Sequence, residues 1–275
     1  MIPNKKTNII KINNSTELSI QISLSGLSFC ILQKDNNTIT YLKHFGFGKK
    51  LTPFALLDQL KHCFNTEKAL QNSFNTVYII HVNELATIVP KPLFNEDCLA
   101  DYLKFNSKIL KSDFITFDNI KLNESVNVYV PYVNINNFIY EKFGSFTFKH
   151  FSTVLIEQLL IAEKNNNSSK IYAHINSGHF ELIIIKSGKL LLYNSFEYNS
   201  EEDFIYYVLF TAEQLQLNPE TLKLVFIGAI TKNDAIYNIA YKYIRNVSFG
   251  SRNDNYKYTQ APNSNHSNFA LIKSF

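Results

Sequence analysis

Apolar and polar positions alternate near the start of the chain. Leu18, Ile20 and Ile22 are apolar, whereas Ser19 and Gln21 between them are polar. A period of two is typical of a strand that buries one face. Similar patterns predict further strands and one helix. The predicted strands cover residues 18–24, 27–33, 38–45 and 76–82, and the helix covers 53–64.

The same order of elements returns about 150 residues later, an offset typical of a duplicated domain rather than of a solenoid. Strands are predicted over 170–177, 179–186, 189–198 and 222–230, with a helix over 203–217. We therefore predict an α/β fold with two halves. In each half a mixed sheet has three antiparallel strands, and its fourth strand is parallel to the first.

The stretch between the two copies has no counterpart in the second copy. It predicts short strands over 84–89, 114–120, 126–133 and 146–149, and helices over 95–108, 134–143 and 153–164. We predict that residues of about 84–150 form a small subdomain inserted in a first half of residues 1–164. The second half then covers 165–275. Outlying predictions are a strand over 9–12, a helix over 232–245 and a strand over 256–259.

Composition argues against several classes of function. The net charge of +4 comes from scattered Lys and Arg, whereas a nucleic-acid binder concentrates them in a stripe. Cys30, Cys63 and Cys98 form no Cys-x-x-Cys, so neither a zinc site nor a disulfide framework is indicated. No apolar run approaches the ~18 residues of a membrane span. We expect a cytoplasmic protein without membrane insertion and without a nucleic-acid partner.

The duplicated order of strands and helix resembles the actin-like ATPase superfamily, whose halves are ribonuclease-H-like. Closer likeness lies in Val77-Tyr-Ile-Ile-His, in Ala86-Thr-Ile-Val-Pro and in the stretch from Val128 to Gly144. These segments resemble the inserted subdomain of the actin-like type IV pilus assembly component. The whole also resembles an uncharacterised family of Bacteroidota with a domain of unknown function. The resemblance covers roughly residues 17–245 and implies an actin-like fold.

The resemblance also implies where nucleotide would bind in an active member. Such members carry Asp-x-Gly after the first strand of each half, which positions Mg²⁺ and phosphate. The matching stretches are Ser23-Leu24-Ser25 and Asn176-Ser177-Gly178, and Gly228 keeps one glycine of the adenosine motif. Both acids are absent, and serine and asparagine can neither balance Mg²⁺ nor act as a base. We therefore expect no catalytic residue, no metal and no cofactor, with ATP as the alternative ligand.

Other candidate groups carry weaker signals. Asp203 and Asp234, near predicted helix starts, are the first carboxylates that could replace the missing acids. His174 and His179 lack a third partner nearby in sequence, which favours a structural role. The loop 46–49, Gly-Phe-Gly-Lys, is a weak signal for an anion because no helix follows directly.

Three functions follow as hypotheses. The first is a non-catalytic cytoplasmic binding or scaffolding module with a protein partner. The second is a weak nucleotide-binding switch acting through Ser25, Gly178 and Gly228, and the third an accessory protein in RNA processing. The supply of 16 Tyr and 23 Phe favours a protein interface. The tyrosines considered for it are Tyr198, Tyr206, Tyr207, Tyr237, Tyr241 and Tyr243.

Overall fold

A computed structural model describes residues 15–218 and 220–275, so the strand predicted over 9–12 lies outside the described residues. The strands are β1 Thr16–Ser23, β2 Gly26–Gln33, β3 Thr38–Gly46, β4 Thr76–His81, β5 Ala86–Pro90, β6 Thr116–Ile120, β7 Ser125–Tyr129, β8 Thr147–His150, β9 Ser169–Asn176, β10 His179–Lys186, β11 Lys189–Glu197, β12 Lys223–Gly228, β13 Asn246–Phe249 and β14 Lys257–Tyr258. The α-helices are α1 Pro53–Thr66, α2 Leu99–Leu103, α3 Val133–Phe143, α4 Phe151–Glu163, α5 Glu201–Gln214, α6 Ala235–Tyr243 and α7 Phe269–Ile272.

The first sheet has the strand order β14-β3-β2-β1-β4-β8. β1, β2 and β3 are antiparallel neighbours, and β4 is parallel to β1. The alternation that begins at Leu18 places Leu18, Ile20 and Ile22 at 0% exposure. They pack with the buried face of α1, whose first turn is capped by Thr52 through the N–H of Ala55.

The second sheet has the order β11-β10-β9-β12-β13. β9, β10 and β11 are antiparallel, and β12 is parallel to β9. Both sheets therefore have the strand directions predicted from the sequence. Helices α5 and α6 cover one face, with Phe204, Val208 and Ala240 in the shared core.

Helix α4 lies between the sheets and is buried on almost every side. Its Leu155 and Leu159 share a core with Ile80 of the first sheet and with Ile183 and Val225 of the second. A helix that is apolar all round is typical of such a central position.

The inserted region forms a third sheet, with the order β5-β7-β6 and its own small core around Leu103 and Val128. β8, in contrast, extends the first sheet beside β4. The chain ends on the first sheet as well, where β14 pairs with β3 and Leu271 packs on Cys30 and Leu32. The division into domains at residues 84, 150 and 164 stays a prediction.

Most helix boundaries differ from the predicted ones by a few residues, and the largest difference lies between residues 95 and 108. The helix predicted over 95–108 is reduced to a 3-10 turn, Glu96–Cys98, and the short α2. The chain beyond Leu103 turns outward, and Phe105 is 81% exposed, so no apolar face supports a longer helix there. Helix α5 begins two residues earlier than predicted, because Ser200 and Asp203 form a capping box.

Of the described residues, none belongs to a helix with the length and hydrophobicity that a membrane span requires.

Candidate functional site

The turn between β1 and β2 contains the first pair of predicted nucleotide positions. Ser23 Oγ accepts the backbone N–H of Ser25 at 3.3 Å and that of Gly26 at 3.0 Å. The Ser25 hydroxyl lies 3.1 Å from the same oxygen. The backbone amides that a phosphate would need in this turn are therefore already bonded to the chain's own serine.

The loop after β3 covers this turn from outside. The N–H of Phe47 donates to the carbonyl of Ser25 at 2.9 Å, and that of Leu51 donates to Leu24 at 2.8 Å. The Gly-x-Gly-Lys stretch thus braces the first turn. Beyond it, Lys50 forms an ion pair with Glu197 at the end of β11, which links the two sheets.

The turn between β9 and β10 contains the second pair. Gly178 has φ +77, a conformation that favours glycine, and no atom lies within 4 Å of the place where a Cβ would be. Tyr198 holds the turn, since its hydroxyl donates to the Asn176 carbonyl at 2.9 Å and its N–H to Gly178 at 3.1 Å. The Asn176 side-chain amide faces inward and donates to Glu181 Oε2 at 3.1 Å.

Glu181 is the charged centre behind this turn and is only 3% exposed. Its Oε2 lies 2.9 Å from Nδ1 of His174, and its Oε1 lies 3.4 Å from Nε2 of His179. Burial alone would raise the pKa of this carboxyl, but its two histidine partners lower it to about 2. For His179 burial acts against protonation, yet the bond and attraction to Glu181 raise the pKa.

Sequence analysis found no third partner near His174 and His179 and overlooked Glu181, while the structural role that it favoured stays a prediction. Glu181 faces His174 directly in the antiparallel register of β9 and β10, and it lies two residues from His179, on the same side of β10. A carboxylate inside the otherwise apolar run of residues 180–185 was the available signal. Even so, no cluster of three His, Cys, Asp or Glu side chains among residues 15–218 and 220–275 is arranged to hold a metal ion.

Gly228, the third predicted nucleotide position, lies where β12 ends beside β9. Its φ is +90, and a Cβ there would lie 2.5 Å from the carbonyl oxygen of Ile175. Its N–H donates to the carbonyl of His266 at 2.9 Å. The His266 ring stacks on Phe249 at 4.5 Å between centroids. Gly228 is thus brought close to Asn176, and its amide is bonded within the chain.

The two carboxylates considered as replacements already accept hydrogen bonds from nearby backbone amides. Asp203 Oδ2 accepts the N–H of Asn199 at 2.9 Å and that of Ser200 at 3.2 Å. Asp234 Oδ2 accepts the N–H of Thr231 at 2.6 Å. Asp203 thus forms a capping box with Ser200 at the start of α5, whereas Asp234 closes the turn before α6 and makes no side-chain cap bond to that helix.

A second cluster of buried polar side chains lies at the start of α4. Sequence analysis did not identify this cluster. The His150 ring caps the helix through the N–H of Ser152, and its other nitrogen lies 3.1 Å from the Asn83 carbonyl. The Asp118 carboxylate accepts hydrogen bonds from the backbone N–H of His150 at 2.9 Å and from the Thr153 hydroxyl at 2.7 Å. Complete burial lowers the pKa of His150 to about 4.

The six tyrosines divide evenly between core and surface. Tyr198, Tyr207 and Tyr237 pack against the core of the second half. Tyr206, Tyr241 and Tyr243 are between 51% and 65% exposed. Phe210, beside Tyr206 on α5, is 47% exposed and stacks on it.

Comparison with solved structures shows what the fold resembles. A Bacteroides thetaiotaomicron protein with an actin-like ATPase fold and unknown function is 26% identical, with a TM-score of 0.81 and 95% of each chain covered. A PilM-PilN type IV pilus biogenesis complex gives 12% identity and a TM-score of 0.56, with 86% of this chain and 88% of that chain covered. Both likenesses confirm the actin-like fold predicted from the sequence.

Sequence comparison identifies the family. No curated protein is significantly similar in sequence. Residues 5–247, most of the chain, match the family described as "Protein of unknown function (DUF3822)". The resemblance to a family of unknown function is thereby confirmed, and the chain belongs to the DUF3822 family.

Proposed function

We propose that this protein is a non-catalytic binding module that uses an actin-like fold to hold a protein partner, and that it hydrolyses no ATP. The observation that supports the proposal is the state of the backbone amides at the predicted nucleotide positions. Those of Ser25 and Gly26 are bonded to Ser23, and that of Gly228 to His266. A phosphate or an adenosine group would have to displace these internal bonds to bind.

Electrostatics support the same proposal. Neither Ser23 nor Asn176 supplies the negative charge that would hold Mg²⁺ as a bridge to phosphate. A phosphate at either turn would therefore have no carboxylate at these positions with which to share a Mg²⁺ ion.

Exposed aromatic side chains on the surface support a protein partner. Tyr206, Tyr241, Tyr243 and Phe210 expose large aromatic rings, the residue class that is enriched at interfaces. The PilM-PilN relative in fold is itself a complex of two proteins. The three cysteines are free thiols, which is consistent with a protein that functions in the reducing cytoplasm.

A weak nucleotide-binding switch is the second candidate, and Gly178 favours it. The turn around this residue is exposed, and the space beside its Cα is empty, so a ligand could approach the backbone. The hypothesis of a role in RNA processing has no comparable support in the structure.

Thermal unfolding with and without ATP and Mg²⁺ separates the two candidates. For the binding module we expect an unchanged melting temperature and no phosphate release above background. A saturable rise in melting temperature with ATP would contradict the proposal. So would phosphate release that is lost in Asp203→Asn or Asp234→Asn.

The partner itself requires a second experiment. We expect that affinity purification of the full chain from its native cells recovers a partner protein. Alanine at Tyr206, Tyr241 or Tyr243 should reduce recovery without a change in melting temperature. Alanine at the core residue Tyr237 is the matched control, since it should lower the melting temperature instead.

A further inference from the structure

A groove of about 690 Å³ runs along the β13 edge of the second sheet, on the face toward α4. Its floor consists of Val225 and Ile227 of β12, whose side chains are buried. Leu159 of α4 and Phe269 of α7 form one wall. On the other side the groove opens at β13, the last strand of this sheet.

The groove exists because the residues of β13 on this face are small. Val247 and Phe249 point to the opposite face, where they pack with the core under α5 and α6. By alternation, Ser248 and Gly250 point into the groove. At Gly250 no side chain fits, since a Cβ would lie 2.6 Å from Cγ2 of Ile227. The exposed Ser248, in contrast, leaves room beside it for a side chain of another molecule.

The backbone of β13 offers hydrogen-bonding groups at this opening. The N–H of Gly250 donates to the Phe226 carbonyl of β12 at 2.8 Å. Because peptide groups alternate in direction along a strand, those of Val247 and Phe249 face away from β12. An edge of this kind can pair with an added extended chain.

The charge of the groove selects the chemistry of such a chain. Three basic side chains line it, Lys170, Lys223 and Arg245, against one acid, Glu163. Glu163 is already bonded to Lys170 at 2.8 Å and to the Tyr172 hydroxyl at 2.6 Å. Arg245 lies 3.4 Å from Oε2 of Glu220, so Lys223 is the basic side chain of the groove without an ion-pair partner among the described residues. Its positive charge favours an acidic partner.

We propose that β13 binds an extended acidic peptide segment of a protein partner, which adds a strand to the second sheet. Its backbone pairs with Val247 and Phe249. A side chain of the segment lies over Ser248, and its acidic side chains face Lys223. This inference rests on the proposed function, because it names the kind of partner that the binding module holds. A segment of about five residues in extended conformation would be about 17 Å long.

Selection from a library of random peptides of roughly ten residues, displayed on phage, tests this proposal with the full chain as target. We expect the enriched peptides to contain Asp or Glu. Synthetic copies should bind in fluorescence anisotropy, and their affinity should fall with added salt. Peptides without acidic residues, or no enrichment at all, would overturn the proposal.

Two pairs of variants locate the binding. Val247→Pro removes an outward N–H without loss of a bond to β12, whereas Val247→Ala keeps that N–H. We expect about tenfold weaker peptide binding for the proline variant and little change for alanine, with similar melting temperatures. Lys223→Glu should weaken binding by a similar factor, and Lys223→Gln by less. Unchanged affinity in Val247→Pro and Lys223→Glu would overturn the proposal.

The remaining outcomes distinguish this inference from the proposed function. A dimer in analytical ultracentrifugation that Val247→Pro dissociates would overturn the inference, because β13 would then bind a second copy of the chain. Partner recovery that is unaffected by Val247→Pro, but lost with the exposed tyrosines, would also overturn it while the proposed function stands. ATP binding or hydrolysis would contradict the proposed function and leave the peptide result unaffected.

Discussion

The ammonium nitrogen of Lys50 lies 2.6 Å from Oε1 of Glu197, and this ion pair joins the first sheet to the second. Lys50 follows the loop that braces the Ser23 turn, and Glu197 ends β11 beside the Asn176 turn. The pair thus connects the regions of both predicted nucleotide turns. Both side chains are mostly exposed, at 66% and 76%.

We predict that Glu197→Gln lowers the free energy of unfolding by less than about 1 kcal/mol, because water and salt screen an exposed pair. Urea unfolding at low and high salt measures the effect. The difference between wild type and variant should shrink at high salt, and Lys50→Gln should behave in the same way. A large decrease in the free energy of unfolding that does not depend on salt would contradict this prediction, because it would mean that the ion pair is not screened by solvent.

The turn at Ser23 supports a second prediction. Ser23→Ala leaves the N–H groups of Ser25 and Gly26 without their internal acceptor, and we expect a loss of about 1 kcal/mol in the free energy of unfolding. Ser25→Ala is the matched control, since that hydroxyl is exposed and should matter by less than about 0.5 kcal/mol. Equal effects in urea unfolding would contradict the assignment of Ser23 as the residue that closes the turn.

The fold was largely predictable because it rests on patterns of apolar residues. The alternation at Leu18, Ile20 and Ile22 marks a strand buried on one face, and the same strand order recurs in the second half. Packing that depends on distant residues was not predictable. The return of the chain end to the first sheet, where Leu271 meets Cys30, leaves no local signal in the sequence.

Gly228 supports a third prediction. Gly228→Ala puts a Cβ at 2.5 Å from a backbone oxygen in a left-handed conformation, and we expect a loss of at least about 3 kcal/mol or failure to fold. Gly178 also has a positive φ, but no atom lies near the place where a Cβ would be. Gly178→Ala should therefore lower the free energy of unfolding by only about 1–2 kcal/mol. Similar melting temperatures for the two variants would refute the close contact at Gly228.

The candidate site was only partly predictable. Asn176 and Gly228 are neighbours in space because β9 and β12 are parallel, which the strand order already indicates. The partner of His174 follows from the strand register rather than from any local motif, so Glu181 was missed. His150 and Asp118 come from different sheets and meet only at the start of α4.

Buried histidines predict how stability depends on pH. Burial lowers the pKa of His150 to about 4 and that of His81 to about 3, both from 6.5. Between pH 6.5 and those values the unfolded chain binds protons that the folded chain does not, so stability falls as pH falls. The low pKa of Glu181 adds a loss from about pH 4.5 down to about 2. The raised pKa of His179 acts oppositely, because its stabilisation is present below pH 6.5 and lost at higher pH.

His150→Asn tests this dependence, because asparagine can still cap α4 but does not titrate. A pKa that falls from 6.5 to about 4 corresponds to about 3 kcal/mol, which His150 should remove from wild-type stability between those pH values. Between pH 6.5 and 4 the free energy of unfolding should therefore decrease by about 3 kcal/mol less in the variant than in the wild type. This difference does not depend on the stability of the variant at pH 7. Asn65→Ala, a change without a titrating group at an exposed position on α1, is the control and should keep the wild-type slope. Parallel slopes for wild type and His150→Asn in urea unfolding would show that His150 is protonated in the folded protein.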